Sequence, residues 1–156
     1  MKNNFHTRGL TIVEILVVLA VLGIILAVIT PPFSKSREKQ LVNTAVGDTL
    51  SSLSKARAET LASKDSSSYG VHFESGAVII FKGTSYSAGA GDNEEISILA
   101  PANISNVTLG GTSGGSGDLY FKRISGEPNK AGTVTISSPE FSKIITITAT
   151  GSASAQ

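Results

Sequence analysis

The chain of 156 residues has no cysteine, no tryptophan and a single methionine, and its only histidines are His6 and His72. Without cysteine there are no disulfides and no thiolate chemistry. A folded domain must be held by its core alone, or by a bound metal. His6 lies in the first nine residues. His72 sits between Val71 and Phe73 in a strand-like run, where a lone histidine is far more often packed or exposed than catalytic. Serines are many but fall in glycine-rich stretches, without the nucleophile, base and orienter pattern that hydrolysis needs. The glycine-rich run Gly110 to Gly117 is not followed by Gly-Lys-Ser/Thr, so it is no phosphate loop. No enzymatic activity and no cofactor are expected. A strong charge of either sign is also missing: 13 Lys and Arg stand against 12 Asp and Glu. There is no net basic field to draw in nucleic acid.

What the chain does have is an unusual start. Arg8-Gly9-Leu10-Thr11-Ile12-Val13-Glu14 runs into an apolar stretch from Ile15 to Ile29. About twenty such residues span a bilayer as a helix. One carboxylate, Glu14, sits near the beginning. An ionisable group at the centre of a membrane helix costs about 2.5–3.5 kcal/mol on insertion scales, so it needs a reason to be there. A conventional secretory signal puts its small-x-small cleavage site after the apolar core. Here the glycine precedes the core, and the exit Ala27-Val28-Ile29-Thr30-Pro31-Pro32 offers a poor site. A plain membrane anchor would need neither Gly9 nor Glu14.

These residues resemble the class III signal of type IV prepilins and pseudopilins. The resemblance implies cleavage between Gly9 and Leu10 by a prepilin peptidase and N-methylation of Leu10. It also implies an assembly role for Glu14, the fifth residue counted from Leu10. Removing residues 1–9 takes away Lys2 and Arg8 and leaves eleven basic against twelve acidic side chains. A buried carboxylate is tolerated when paired. The partner expected in a fibre is the Leu10 amine, of the same chain or of a neighbouring subunit.

Past the apolar run, Pro31 is expected to kink the helix without ending it. Leu41, Val42, Ala45, Val46, Leu50, Leu53 and Leu61 recur at three- and four-residue steps and predict a single apolar stripe. Ser34, Lys35, Arg37, Glu38, Lys39, Asn43, Asp48, Ser52, Lys55 and Glu59 are expected on the other faces. Beyond Lys64 the chain reads as β. Tyr69 to Phe73 and Ala77 to Phe81 flank a short turn and predict a hairpin. Ile96 to Leu99, Asn106 to Leu109 and Leu119 to Arg123 are strand candidates. Gly132 to Ile136 and Lys143 to Thr150 alternate at period two. Gly110 to Gly117 reads as a flexible loop, and Gly151 to Gln156 as a frayed tail. Asp92, Asn93, Glu94 and Glu95 could offer oxygen ligands to calcium, although their spacing is not that of an EF-hand.

Tyr69-Gly70-Val71-His72-Phe73 with the strand ending Phe81-Lys82-Gly83 is similar to the first hairpin of GspH/FimT-type minor pseudopilins. Leu119-Tyr120-Phe121-Lys122-Arg123, Gly126-Glu127-Pro128 and Gly132-Thr133-Val134-Thr135-Ile136-Ser137 are similar to the closing part of that domain. The fold implied is α+β: a long kinked N-terminal helix packed on an antiparallel β-rich globular head. The expected organisation is a leader at 1–9, a transmembrane or fibre-core helix half at 10–30, an amphipathic half at 31–62, the head at 63–150 and the tail at 151–156.

The function implied is that of a minor pilin or pseudopilin subunit of a type II secretion pseudopilus or type IV pilus. It would sit in the inner membrane as a single-pass protein, with its N-terminus cytoplasmic before cleavage and its head outside, and then pass into the fibre. The partners implied are the prepilin peptidase, other pilins, the inner-membrane assembly platform and, before assembly, the membrane. The competing reading is a membrane-anchored surface β-domain that binds a ligand or DNA without forming a fibre. In DNA-binding relatives basic residues follow the last strand. Here no lysine or arginine follows Lys143, and phosphate contacts need cations. Nucleic acid is therefore not expected as a partner.

Overall fold

The computed structural model describes residues 10–156, with residues 28–34 described by their backbone alone. The chain divides between Ser36 and Arg37 into two units. Helix α1, Ile12–Leu61, contributes to both. The two prolines at 31 and 32 do not interrupt its assignment.

In the N-terminal unit every described residue from Leu10 to Ala27 is exposed. Among the described residues no helix is long and apolar enough to cross a membrane. The side chains of residues 28–30, at the end of the expected span, and that of Pro31 lie outside the described residues.

In the second unit α1 buries Val42, Ala45, Val46, Thr49, Ser52, Leu53, Ala56 and Thr60, a stripe at helical spacing. It differs from the expected stripe: Thr49, Ala56 and Thr60 join it, and Leu41 and Leu50 are only half-buried. Ser52, expected on an outer face, is 3 % exposed, and Leu61, expected inside, is 45 % exposed. The hydroxyls enter the core because each returns a hydrogen bond to the carbonyl four residues back. Thr49 donates to Ala45 at 2.7 Å, Ser52 to Asp48 at 2.8 Å and Thr60 to Ala56 at 2.8 Å. A buried hydroxyl bonded in this way avoids most of its desolvation cost.

The helix stops at Leu61 and a short 3-10 turn, Lys64–Ser66, follows. Ser63, Asp65 and Ser66 take left-handed φ values of 50°, 49° and 52°, a region that short polar side chains tolerate. Asp65 accepts from the Tyr69 hydroxyl at 3.0 Å and pairs with Lys82 at 3.2 Å. The Lys82 ammonium and the Tyr69 hydroxyl hold its carboxyl below the usual carboxylate range.

Among the described residues nine strands form two antiparallel sheets. The first contains β1 Tyr69–Glu74, β2 Ala77–Lys82, β3 Glu94–Ser97 and β6 Gly117–Tyr120, in the order β3-β2-β1-β6. The second contains β4 Asn103–Leu109, β5 Thr112–Gly114, β7 Gly132–Ser137, β8 Ser142–Ile147 and β9 Ala153–Ala155, in the order β5-β4-β7-β8-β9. Val71, Phe73, Val78, Ile80 and Leu119 from the first sheet join Ile104, Val107, Val134, Ile136, Ile145 and Ile147 from the second, together with the α1 stripe, in one core. Fully burying a side chain of this kind is worth about 1.5–3 kcal/mol.

Period-two alternation also buries residues on the far side of the first sheet. Ile79 and Phe81 are 4 % and 1 % exposed, yet they stand apart from the main core. Tyr86, from the β2–β3 loop, helps to cover them. Its ring stacks on His72 with centroids 3.9 Å apart and meets Phe81 edge-on at 5.9 Å.

Three expectations for the β region are corrected. Gly110 to Gly117 is not a loop. Gly110 and Gly111, at φ 60° and 84°, make the two-residue turn between β4 and β5, with Leu109 paired to Thr112. Two consecutive positive φ values are what a tight hairpin turn demands. The expected frayed tail is strand β9, because β8 offers a free edge and pairs with it in register Ile145↔Ala155, Thr146↔Ser154, Ile147↔Ala153. The strand expected at Leu119 to Arg123 ends at Tyr120. Phe121 then makes a single bridge to Pro128, and Lys122 closes a turn by donating its N–H to the Glu127 carbonyl at 2.8 Å.

Candidate functional site

The strongest candidate site is the start of α1. Thr11 is the residue before the helix. Its Oγ1 accepts the Glu14 N–H at 3.2 Å, and its carbonyl accepts the Ile15 N–H at 3.2 Å. Thr11 is therefore the N-cap and Glu14 the third helical residue, the spacing of a capping box. A carboxylate in the first turn also faces the positive end of the helix dipole, worth about 0.3–1 kcal/mol at an exposed site. Glu14 thus has a local role that the sequence reading did not assign, although Thr11 three residues before it is the signal that finds it. Leu10, next to this cap, is 74 % exposed. Gly9, the other side of the expected cleavage site, lies outside the described residues.

From Leu10 to Leu26 thirteen large apolar side chains follow, and none is less than 48 % exposed. A soluble monomer rarely shows a contiguous apolar surface of more than a few hundred Å²; larger ones mark contact with membrane or protein. The apolar residues surround this helix on all sides, the pattern of a segment buried within lipid or among other helices.

The four acidic-loop residues proposed for calcium are not gathered into a ligand set. Glu94 is taken by Lys55, at 2.6 Å from Oε1. Glu95 follows it on β3, opposite Ile79, and neighbouring strand residues point to opposite faces. Asn93 turns its amide to the Ser87 carbonyl at 2.8 Å, and Asp92 is exposed. Among the described residues no group of three or more His, Cys, Asp or Glu stands close enough to hold a metal.

His72 is half-buried. Its Nδ1 has no hydrogen-bond partner. Burial pushes its pKa below the ordinary 6.5, against the upward pull of Asp118 and Glu74. The stack on Tyr86 makes it a packing residue.

Two polar ties were not foreseen. Thr60 accepts the Tyr69 N–H at 2.8 Å in the core. Arg57 donates from Nε to the Gly126 carbonyl at 2.9 Å and from a terminal nitrogen to the Thr150 carbonyl at 3.0 Å. Gly126 and Gly151, at φ 66° and 84°, approach each other beneath it. A Cβ on Gly151 would stand 2.4 Å from the Gly126 carbonyl oxygen. Nothing in the local sequence around Arg57 announces partners 69 and 93 residues away.

Residues 4–30 match the family model described as the prokaryotic N-terminal methylation motif. The match supports a type IV pilin-like start, processed by prepilin peptidase and suited to anchoring in a membrane. It covers Arg8, Gly9, the capped helix start and the exposed apolar helix up to Thr30. No curated protein and no solved structure matches the chain.

Proposed function

We propose that the protein is a minor pilin or pseudopilin subunit of the GspH/FimT type. It is cut between Gly9 and Leu10 and assembled through its N-terminal helix into a type IV pilus or type II secretion pseudopilus. The observation that carries this reading is the methylation motif at residues 4–30, with Glu14 in the first turn of a helix whose large apolar side chains up to Leu26 are all exposed. In lipid such a helix is at home, with its N-terminus cytoplasmic before cleavage and the single span completed by the residues up to Thr30. In a fibre the same side chains pack on neighbouring helices. Van der Waals contact and paired polar groups then drive association, because lipid tails are as apolar as leucine. Pro31 would bend the helix there.

Glu14 acts in both settings. Its backbone N–H is held by Thr11, so its carboxylate sits on a fixed turn. After cleavage the Leu10 amine lies four residues before it, just ahead of the capped helix start. A neighbour's amine can replace the chain's own as its partner when subunits stack. The protein catalyses nothing in this reading, and its antiparallel α+β head faces outward. Mass spectrometry of protein extracted from cells that hold the prepilin peptidase tests the proposal. The expected N-terminus is Leu10 carrying one added methyl group. An intact Met1-Lys2 in such cells would rule it out.

A further inference from the structure

Four strands end the two sheets, and three of them are guarded against pairing. β3 carries Glu94 and Glu95, which repel a like edge. β6 is closed by Asn129, whose side-chain oxygen accepts the Tyr120 N–H at 2.9 Å and whose own N–H donates to the Tyr120 carbonyl at 2.9 Å. β5 is short: only Thr112, Ser113 and Gly114 pair with β4, and a very short edge is a poor template for another chain.

The fourth, β9, has none of these guards, and its bonding to β8 runs on past the strand, from Ser152 to Gln156. Ser152-Ala153-Ser154-Ala155-Gln156 has no charged side chain and no proline. Ile144 and Gln156 exchange both backbone bonds, at 3.2 and 3.0 Å, and the Thr148 N–H reaches the Ser152 carbonyl at 2.9 Å. Antiparallel alternation therefore turns the amide groups of Ser152, Ser154 and Gln156 toward β8, and those of Ala153 and Ala155 away from it. The outward N–H and carbonyl groups of Ala153 and Ala155 have no partner among the described residues. The side chains of Ala153 and Ala155 pack against the core, and a cleft of about 330 Å³, lined by Leu53, Arg57 and Leu61 of the helix and by Gly151, Ser152 and Ala153, opens beside the start of this edge.

We propose that β9 pairs with β9 of a second copy of this chain, antiparallel about a two-fold axis at Ser154. In that register Ala153 faces Ala155 of the partner copy and Ala155 faces Ala153. Each of the four outward donors meets an outward acceptor, and none is left over. Ser154 then faces Ser154, and Ser152 faces Gln156. No charge is brought against its own copy, as Glu94 or Glu95 would be at the β3 edge. Such a contact is isologous and closes at two copies, so it cannot by itself propagate a fibre. It is independent of the proposed function and stands if that reading fails.

The absence of cysteine makes the test direct. Ser154 would form a non-hydrogen-bonded pair with its own copy. Such pairs have Cα atoms about 4.5 Å apart, inside the range of roughly 4.4–6.8 Å that a disulfide spans. Full-length chain in detergent, carrying S154C and treated with diamide, should form disulfide dimers about tenfold faster than S113C on β5, the opposite edge of the same sheet. S152C alone and Q156C alone should react only as slowly as S113C, while an equal mixture of the two should cross-link fast. The proposal is overturned if S154C is no faster than S113C, or if S152C alone matches S154C. Ser154 is exposed, and circular dichroism identical to the parent chain verifies that the variant is folded.

Discussion

Thr60 offers the sharpest test of how the helix is held to the sheet. Its side chain is fully buried. It donates to the Ala56 carbonyl and accepts the Tyr69 N–H, at 2.8 Å each. Tyr69 opens β1 and is itself 6 % exposed, so its N–H has no route to water. Thr60→Val keeps the shape and removes the acceptor. An unsatisfied buried donor costs about 1–3 kcal/mol. Thr60→Ser keeps the acceptor and loses one methyl, about 0.8 kcal/mol. The expected order of stability is therefore parent, then Thr60→Ser, then Thr60→Val. For a unit of this size roughly 3–6 °C accompanies each kcal/mol, so Thr60→Val should lower Tm by about 3–18 °C and Thr60→Ser by about 2–5 °C. Near-ultraviolet circular dichroism of the three tyrosines follows the melt without interference from the N-terminal helix. Amide exchange at Tyr69 should quicken in the valine variant and not in the serine one. If Thr60→Val melts with or above Thr60→Ser, the Tyr69 N–H finds another acceptor and the reasoning is wrong.

Three other outcomes follow from the same geometry. Glu14→Ala should lower incorporation into fibres severalfold. Thr11→Ala loosens the helix cap but keeps the carboxylate, so it should lower incorporation less; equal losses in a quantitative fibre pull-down would mean that Glu14 acts only through the helix start. His72 has a folded pKa below 6.5 because burial disfavours its charged form, so the unfolded chain takes up the proton first. Its contribution to stability is whole above about pH 6.5 and is lost as pH falls below that; urea midpoints between pH 7.5 and 5.5 should drop more for the parent than for His72→Phe, and parallel slopes would refute it. Arg57→Ala should cost about 1–2 kcal/mol and Arg57→Lys nearly as much, because lysine lacks the fork that reaches two carbonyls; unchanged amide exchange at Gly126 and Gly151 would count against that tie.

The parts of the molecule set by local chemistry could be read in advance. The β1–β2 hairpin is legible in Val71-His72-Phe73, Val78-Ile79-Ile80 and the two-residue turn Ser75-Gly76. The helix start is legible twice, in Gly9-Leu10 and in the spacing of Thr11 and Glu14. What escaped was set by tertiary partners. Ser152 to Gln156 has little strand propensity of its own and becomes β9 because β8 has an edge to fill. Gly110 to Gly117 looks like a linker by composition, yet Gly110-Gly111 is the turn that lets β5 fold back on β4. Ser52 looks like an outer-face residue, and Thr49 and Thr60 carry no apolar mark, until their hydroxyls are paired with carbonyls of their own helix. Arg57 was invisible because both of its acceptors are backbone carbonyls, which no side-chain pattern marks.

The reach of Arg57 has a consequence in time. Its second acceptor, the Thr150 carbonyl, lies 93 residues later in the chain. Ribosomes add roughly 5–20 residues per second, so a newly made helix waits on the order of 5–20 s for that acceptor to exist. The strands β7 and β8, which supply Val134, Ile136, Ile145 and Ile147 to the core that α1 shares, arrive in the second half of the same wait. Contacts this distant along the chain form slowly even once both ends are present. The amphipathic half of α1 is thus the first part of the second unit to be synthesised and among the last to be sheltered. During that interval its apolar stripe is the natural place for a holding chaperone to grip.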